Sequence, residues 1–359
     1  MSYKRIVISK FGGPEVLEFL EEATLPEPTE REVRIKVIAT SAAFTDVMIR
    51  KGKYPDVKAK PPFSPGYDMV GIVDKLGEGV TQFQVGQRVA DLTVIGAYSE
   101  YICLPADHLT SVPETLYPIE AVSLILSYVT AYQLLHRVAK VKRSQRILVH
   151  GAGGAVGTAI LQLGRLLDLE MYGTDSTHKL ELVERFGATP INYRSENFVE
   201  RIRCLTGDGV DAVFDPIGGN YFSRSFSVLR RGGILAAYGF YNNVMSRGGS
   251  IPFDLLRLQL WNLLPNNRST KFYSIGALRQ KQPGWFSEDL AALFDLLVEN
   301  KIKPLIGAQL SLAESKRAHE LIEQGNVCGR IVLRVSKSEL WNFAQPGREK
   351  NHETLFLAS

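Results

Sequence analysis

Between Arg146 and Leu167 the chain reads RILVHGAGGAVGTAILQLGRLL. An apolar run enters a knot of glycines. Beyond the knot, Val156, Ala159, Ile160, Leu163, Leu166 and Leu167 recur at helical spacing on one face. This pattern predicts a buried strand, a tight turn and an amphipathic helix over Ala155–Asp168. The alternation continues downstream. Glu170–Asp175 reads as a strand, with a helix after it to Phe186. TPINY (189–193) and VDAVFDPIGG (210–219) read as further strands, with ENFVERIRCLTG (196–207) as the helix between them. Gly232–Phe240 and Lys271–Leu278 complete the strand series. Strands alternating with helices are joined by right-handed crossovers, so the middle of the chain predicts an α/β, doubly wound parallel sheet.

The two ends carry a different pattern. Glu32–Ala39 alternates polar and apolar residues, the period of a half-buried strand. Met69–Gly77 and Gln87–Leu92 are further strand candidates, separated by Gly and Pro. Near the C-terminus, KPLIGAQLSL (303–312), a helix over Ala313–Gln324 and GRIVLRV (329–335) return to this type. The expected organisation is a discontinuous β-rich outer domain, residues 1–120 and 280–335, interrupted by a dinucleotide-type domain over 121–279. Residues 336–359 begin polar, lack a period and read as a C-terminal extension. The 359 residues, 45% of them hydrophobic, suit two domains with a sizeable core.

Charge and cysteine content narrow the function classes. The formal net charge is +4 with acids and bases mixed, so a nucleic-acid partner is not expected, since such surfaces need clustered Lys and Arg. Cys103, Cys204 and Cys328 are far apart, odd in number and form no CxxC, which supports neither a disulfide framework nor a structural zinc site. The N-terminus lacks a signal-peptide apolar core, and no run of about 18 uninterrupted apolar residues occurs. The expectation is a cytoplasmic protein without a membrane span.

The glycine knot admits two readings. A strict G-x-G-x-x-G would need glycine where Val156 stands; the spacing that fits is Gly151-x-x-Gly154-x-x-Gly157. It makes either a tight β–α turn or a phosphate cradle, where helix amides and dipole favour an anion. Asp175 lies 18 residues past Gly157, where an acid holds the ribose hydroxyls of NAD. Ser176, His178 and Lys179 follow it and offer hydroxyl, imidazole and ammonium to the extra phosphate of NADP. Lys179 as a solvated first-turn residue is the plain alternative.

Several stretches in order carry a family likeness: ISKFGGPEVLE, FTDVMIRKGKYP, SPGYDMVGIV, LSYVTAYQLL, LVHGAGGAVG, FGATPINYR, FDPIGG and KPLIGAQLSLAESKRAHE. Over Tyr3–Val335 the chain resembles the medium-chain dehydrogenase/reductase superfamily. It is most similar to the zinc-free quinone oxidoreductase branch that contains zeta-crystallin, and within it to the vesicle amine transport protein type. The resemblance implies a GroES-like β-rich outer domain with an inserted doubly wound Rossmann domain. It places Gly154, Ala155, Val156 and Gly157 on the cofactor pyrophosphate and Thr130 beside the nicotinamide. Tyr193 would flank the adenosine, and Gly239 and Phe240 would line the nicotinamide pocket. Ser176 and Lys179 match 2′-phosphate-binding positions, and Asp175 departs from the small residue usual there. NADPH is the implied cofactor, with NADH as the alternative.

Zinc-dependent relatives carry ligands where this chain has Phe44, Tyr67 and, near the third position, Leu126; the four-Cys lobe is missing and the six histidines show no metal spacing. No metal is expected. Without a Lewis acid, the chemistry suits an electrophile that needs only a hydride and a hydrogen bond to its oxygen. Asp46, Tyr54 and Tyr67 are the candidate catalytic residues. Asp46 as a helix cap, and the tyrosines as buried aromatics, are their structural alternatives. Ala43 stands where many members of the branch carry Asn. The implied activity is reduction of a small hydrophobic electrophile, a quinone or α,β-unsaturated carbonyl. A non-catalytic nucleotide-binding interaction protein and an enoyl-thioester reductase are the alternatives. Relatives pair their last Rossmann strand across a two-fold axis, so a homodimer through Lys271–Leu278 is expected. The apolar stretch 251–264 reads as core or dimer packing, with a substrate lid or membrane-surface contact as the sharper alternative.

Overall fold

The glycine-rich loop leaves the middle of a six-stranded, all-parallel sheet. In this computed structural model, which describes residues 1–245 and 250–335, the strand order is Thr189–Asn192, Glu170–Asp175, Arg146–His150, Val210–Asp215, Leu229–Ala237 and Ser269–Phe272. The chain begins at Arg146–His150, winds outward on one side, then returns to the other. The reversal opens a crevice beyond the C-terminal ends of Arg146–His150 and Val210–Asp215, the place where such sheets bind ligands. Helix Ala155–Leu166 packs against this sheet, with Ala159, Ile160, Leu161 and Leu163 buried.

A second sheet of seven strands is built from both ends of the chain. Its spine is Glu32–Ala42, which pairs antiparallel with Met69–Leu76, with Tyr101–Pro105 and, through its last residues, with Arg330–Arg334. Ile306–Ser311 then adds parallel to Arg330–Arg334. The expected fold class, a GroES-like sheet with an inserted doubly wound one, is thus observed. The expected C-terminal extension, 336–359, lies outside the described residues.

One element differs from expectation. The edge strand ends at Phe272, and Ile275–Lys281 is a helix where the sequence predicts strand to Leu278. Ser274 starts that helix, its hydroxyl accepting from Ala277 N at 3.3 Å. Helix Ile251–Trp261, expected as core or dimer packing, lays Leu258 with Ile251, Leu255 and Trp261 on the core and leaves Phe253, Leu256 and Leu260 exposed by 60, 51 and 51%. Hydrogen bonds from Thr270 Oγ1 to Leu258 O (2.5 Å) and between Asn262 and Thr270 fasten this helix along the edge strand.

One helical segment among the described residues, Pro118–Val138, is long and apolar enough to cross a membrane, but 89% of its most apolar window is buried inside the fold. It serves as a core helix, with π-helical turns at Leu124–Tyr128 and Leu134–Val138 around the turn that carries Thr130.

Candidate active site

Gly151 makes the turn out of its strand with φ of 66°, and its amide donates to Thr174 O at 3.0 Å. The helix begins at Ala155, directly after extended Gly154. Amides of a first helical turn have no acceptor within the helix and face outward. Gly157 sets how close the helix comes: a Cβ there would lie 2.3 Å from Gly151 O and 2.6 Å from Ala152 Cα. Ala155 and Val156 are half-buried beside it. The loop therefore has the open amides and close helix–strand approach that a pyrophosphate requires.

The residues after the next strand are more occupied than the sequence suggests. Asp175 is buried; its Oδ2 accepts from Gly153 N and its Oδ1 from Ser176 N, each at 2.8 Å. Ser176 Oγ lies 3.3 Å from Asp175 Oδ1 and 3.2 Å from His178 Nδ1. Lys179 is buried, not solvated. Its stem crosses Gly153, where a Cβ would meet Lys179 Cβ and Cδ at 3.0 Å, and its Nζ donates to Val327 O at 2.8 Å. Gly329 N donates to Gly153 O at 3.0 Å. The turn Val327–Gly329, which leads into the outer sheet, is thus bolted to the glycine loop. Tyr193 is 40% exposed at the rim, with the Arg194 guanidinium 5.9 Å from its ring centroid.

Across the crevice, Tyr54 and Tyr67 bring their hydroxyls to 2.6 Å with rings edge to face. Burial raises both phenols; Tyr54 is pushed up to about 12, and Tyr67 is held well above its ordinary value. Asp46 is fully buried in helix Phe44–Arg50. Its Oδ2 accepts from Ala43 N (2.9 Å) and its Oδ1 from Gly66 N (3.2 Å), so its carboxylate caps the helix and pins the residue before Tyr67. Burial, then the nearby Asp68 charge, push it up to about 7. Thr130 is buried within reach of the Tyr273 hydroxyl, which donates to Gln133 Oε1 at 2.8 Å. Gly239 abuts Pro216, where a Cβ would lie 2.7 Å from the carbonyl oxygen. Phe240 stacks on Phe272 at 4.8 Å.

Zinc does not fit here. Phe44 packs on Tyr241 at 5.0 Å between ring centroids, Tyr67 is spent on Tyr54, and Leu126 is a buried hydrocarbon. Among the described residues no three His, Cys, Asp or Glu side chains come together as a metal site.

The sequence reading missed partners supplied by remote parts of the chain. Arg330 reads only as strand, yet it pairs with buried Asp68 at 2.6 Å and also donates to Ser41 Oγ. Lys53 Nζ donates to Val244 O at 3.0 Å, which ties the outer sheet's loop to the segment after Phe240.

Comparison with known proteins agrees with this geometry. Residues 29–114 match the alcohol dehydrogenase GroES-like domain family and residues 186–333 the zinc-binding dehydrogenase family. Human quinone oxidoreductase is 32% identical over 340 residues, covering 92% of this chain and 97% of that protein. The chain belongs to the medium-chain dehydrogenase/reductase superfamily. Human synaptic vesicle membrane protein VAT-1 homolog-like is 30% identical over 347 residues, with coverage of 93% and 81%. The crystal structure of Escherichia coli quinone oxidoreductase complexed with NADPH superposes with a TM-score of 0.83 at 29% identity, covering 92% of this chain and all of that one. As a member of this superfamily the chain is a reductase-type protein whose named relatives include oxidoreductases and vesicle proteins.

Proposed function

We propose that this chain is an NADPH-dependent, zinc-independent reductase of a small hydrophobic electrophile, a quinone or α,β-unsaturated carbonyl compound. The observation that carries the reading is the Tyr54–Tyr67 pair at 2.6 Å, standing where zinc relatives hold a metal ligand. NADPH, when bound, supplies the hydride. Gly154, Ala155, Val156 and Gly157 would take its pyrophosphate, with Thr130, Gly239 and Phe240 around the nicotinamide and Tyr193 at the adenine. Asp175, Ser176 and Lys179 would lie at its adenosine ribose. Tyr67 is fully buried and Tyr54 partly open, so Tyr67 donates to the Tyr54 oxygen and leaves the Tyr54 proton free for the substrate. That proton stabilises the oxygen on which charge develops during reduction. Asp46 positions Tyr67 through Gly66 rather than touching substrate. The proposed division into domains 1–120 with 280–335, and 121–279, is supported by the outer sheet's drawing its strands from residues 32–111 and 306–334 and the parallel sheet's drawing its own from residues 146–272.

The same sites in a non-catalytic nucleotide-binding protein make the second reading, favoured by Ala43 and by the likeness to a vesicle membrane protein. A homodimer through the end of the sheet edge at Lys271 and Phe272, beyond Thr270 whose backbone Asn262 holds, and the exposed face of Ile251–Trp261 belongs to either reading. The deciding experiment follows NADPH oxidation against quinones, enones and enoyl thioesters. Turnover of quinones or enones supports the reductase. Tight NADPH binding without turnover of any of them supports the second reading.

A further inference from the structure

Beneath the glycine loop, four buried side chains from three strands and a helix join end to end. Thr174 Oγ1 lies 2.8 Å from His150 Nδ1; His150 Nε2 lies 3.0 Å from Ser225 Oγ; Ser225 Oγ lies 2.6 Å from Asp215 Oδ2. All four are buried. The proton order along this chain is fixed from one end. An ionised carboxylate only accepts, so Ser225 donates to Asp215. The Ser225 oxygen must then accept from His150 Nε2–H. A neutral imidazole carries one proton, so Nδ1 accepts from the Thr174 hydroxyl. The ring is held in place by Phe198 and Tyr221, both edge-on, at 4.7 and 5.4 Å.

Both ends of this wire reach the walls of the crevice. Thr174 O takes the amides of Gly151 and Ala152 (3.0 and 3.2 Å), and the next residue is Asp175. At the other end Asp215 Oδ1 accepts from Ile217 N at 2.7 Å and Gly218 N at 3.3 Å. Those bonds bend the turn in which Gly218 and Gly219 take φ of 76° and 62°. Pro216 in the same turn abuts Gly239 and accepts from Tyr241 N at 3.1 Å.

We infer that His150 is a positioning residue for the dinucleotide: as the Nε2–H tautomer it ties the glycine loop to the Pro216–Gly219 turn, fixing both walls of the site. The inference rests on the proposed dinucleotide site. A rigid imidazole suits the role because it accepts at one edge from the strand Glu170–Asp175 and donates at the other to the helix Asn220–Ser227.

The test has two parts. Long-range proton–nitrogen spectra of histidine-labelled wild-type protein report the tautomer without any cofactor; the Nε2–H form is expected. Fluorescence titration with NADPH then compares wild type with Thr174→Val, Thr174→Ser and Ser225→Ala. Losing one buried bond of the wire should raise the dissociation constant about tenfold in Thr174→Val and Ser225→Ala. Thr174→Ser, which keeps the hydroxyl, should restore tight binding. An Nδ1–H or doubly protonated ring in wild type would overturn the inference, and this readout stands even where a variant fails to fold. Folded variants that bind NADPH as wild type does would overturn it while leaving the reductase reading intact. A wild-type protein that binds no dinucleotide would remove the reductase reading and the positioning role together.

Discussion

Replacing Lys179 by alanine separates the two nucleotides. The Lys179 ammonium carries three donors, and only one is seen to be used, on Val327 O at 2.8 Å. The remaining two would be the donors to a 2′-phosphate bound as proposed. A hydrogen bond to a charged partner contributes about 1.5–3 kcal/mol, which is about ten- to a hundredfold in affinity. NADH has no such phosphate. It senses only the lost Val327 bond, about 0.5–1.5 kcal/mol and so at most about tenfold. Lys179→Ala should therefore cost NADPH more than NADH. Asp175→Asn should shift the ratio the other way, because the buried carboxylate repels a phosphate and accepts from a ribose diol. Calorimetric titration of both variants with NADPH, NADH and the fragment 2′,5′-ADP measures these effects, and the fragment isolates the ribose end. Unaltered NADPH affinity in Lys179→Ala, together with loss of NADH binding in Asp175→Asn, would make this an NAD(H) protein and refute the reasoning.

Four further outcomes are expected. Tyr54→Phe should lower kcat for a quinone by about 10²–10³, the range for one lost oxyanion donor, with NADPH affinity kept; because burial pushes the Tyr54 phenol up to about 12, turnover of the wild type should stay level on the alkaline side to about pH 10, and an ionisation near about pH 8 would count against the role. Asp46 is pushed up to about 7, so the folded state keeps a proton that the unfolded chain loses near about pH 4; that contribution to stability is complete below this pH and is lost as pH rises through the folded value, so urea unfolding should show a fall from about pH 4 to about pH 7 that Asp46→Asn flattens. Elemental analysis should find no stoichiometric zinc, and one zinc per chain would sink the metal-free mechanism. Light scattering should report a dimer that Leu260→Asp, on the exposed helix face beside the edge strand, converts to monomer.

The fold was legible because its signals are local. Helix period after Gly157, strand runs at Ile147–Val149 and Val210–Asp215, and the return of alternation near Arg330 each occupy a few contiguous residues. The error came where local pattern and tertiary context compete. SIGAL carries enough apolar residues to read as strand, but a Ser hydroxyl able to cap a helix decides it otherwise. The segment 251–264 reads as core or dimer packing, but nothing within it says that Leu258 meets the core while Leu256 and Leu260 are left open.

The site was legible as a set of residue types but not as a set of bonds. Glycine at 154 and 157, acid at 175 and lysine at 179 announce a nucleotide loop, yet what each does depends on groups remote in sequence. Lys179 is held by Val327, Asp68 by Arg330, and His150 by Ser225. No period or spacing encodes such pairs, because they meet only where the outer sheet closes on the loop or a crossover helix returns to the switch point. Asp46 shows the consequence. Its place in FTD suggests chemistry, while two backbone amides claim its oxygens. A buried carboxylate satisfied by amides costs less to hold than one left bare, which supports the proposal that Asp46 works through the backbone it fixes. Of the two hydroxyls paired at 2.6 Å, that of Tyr54 is the less buried, which is why Tyr54 is the one proposed to meet the substrate.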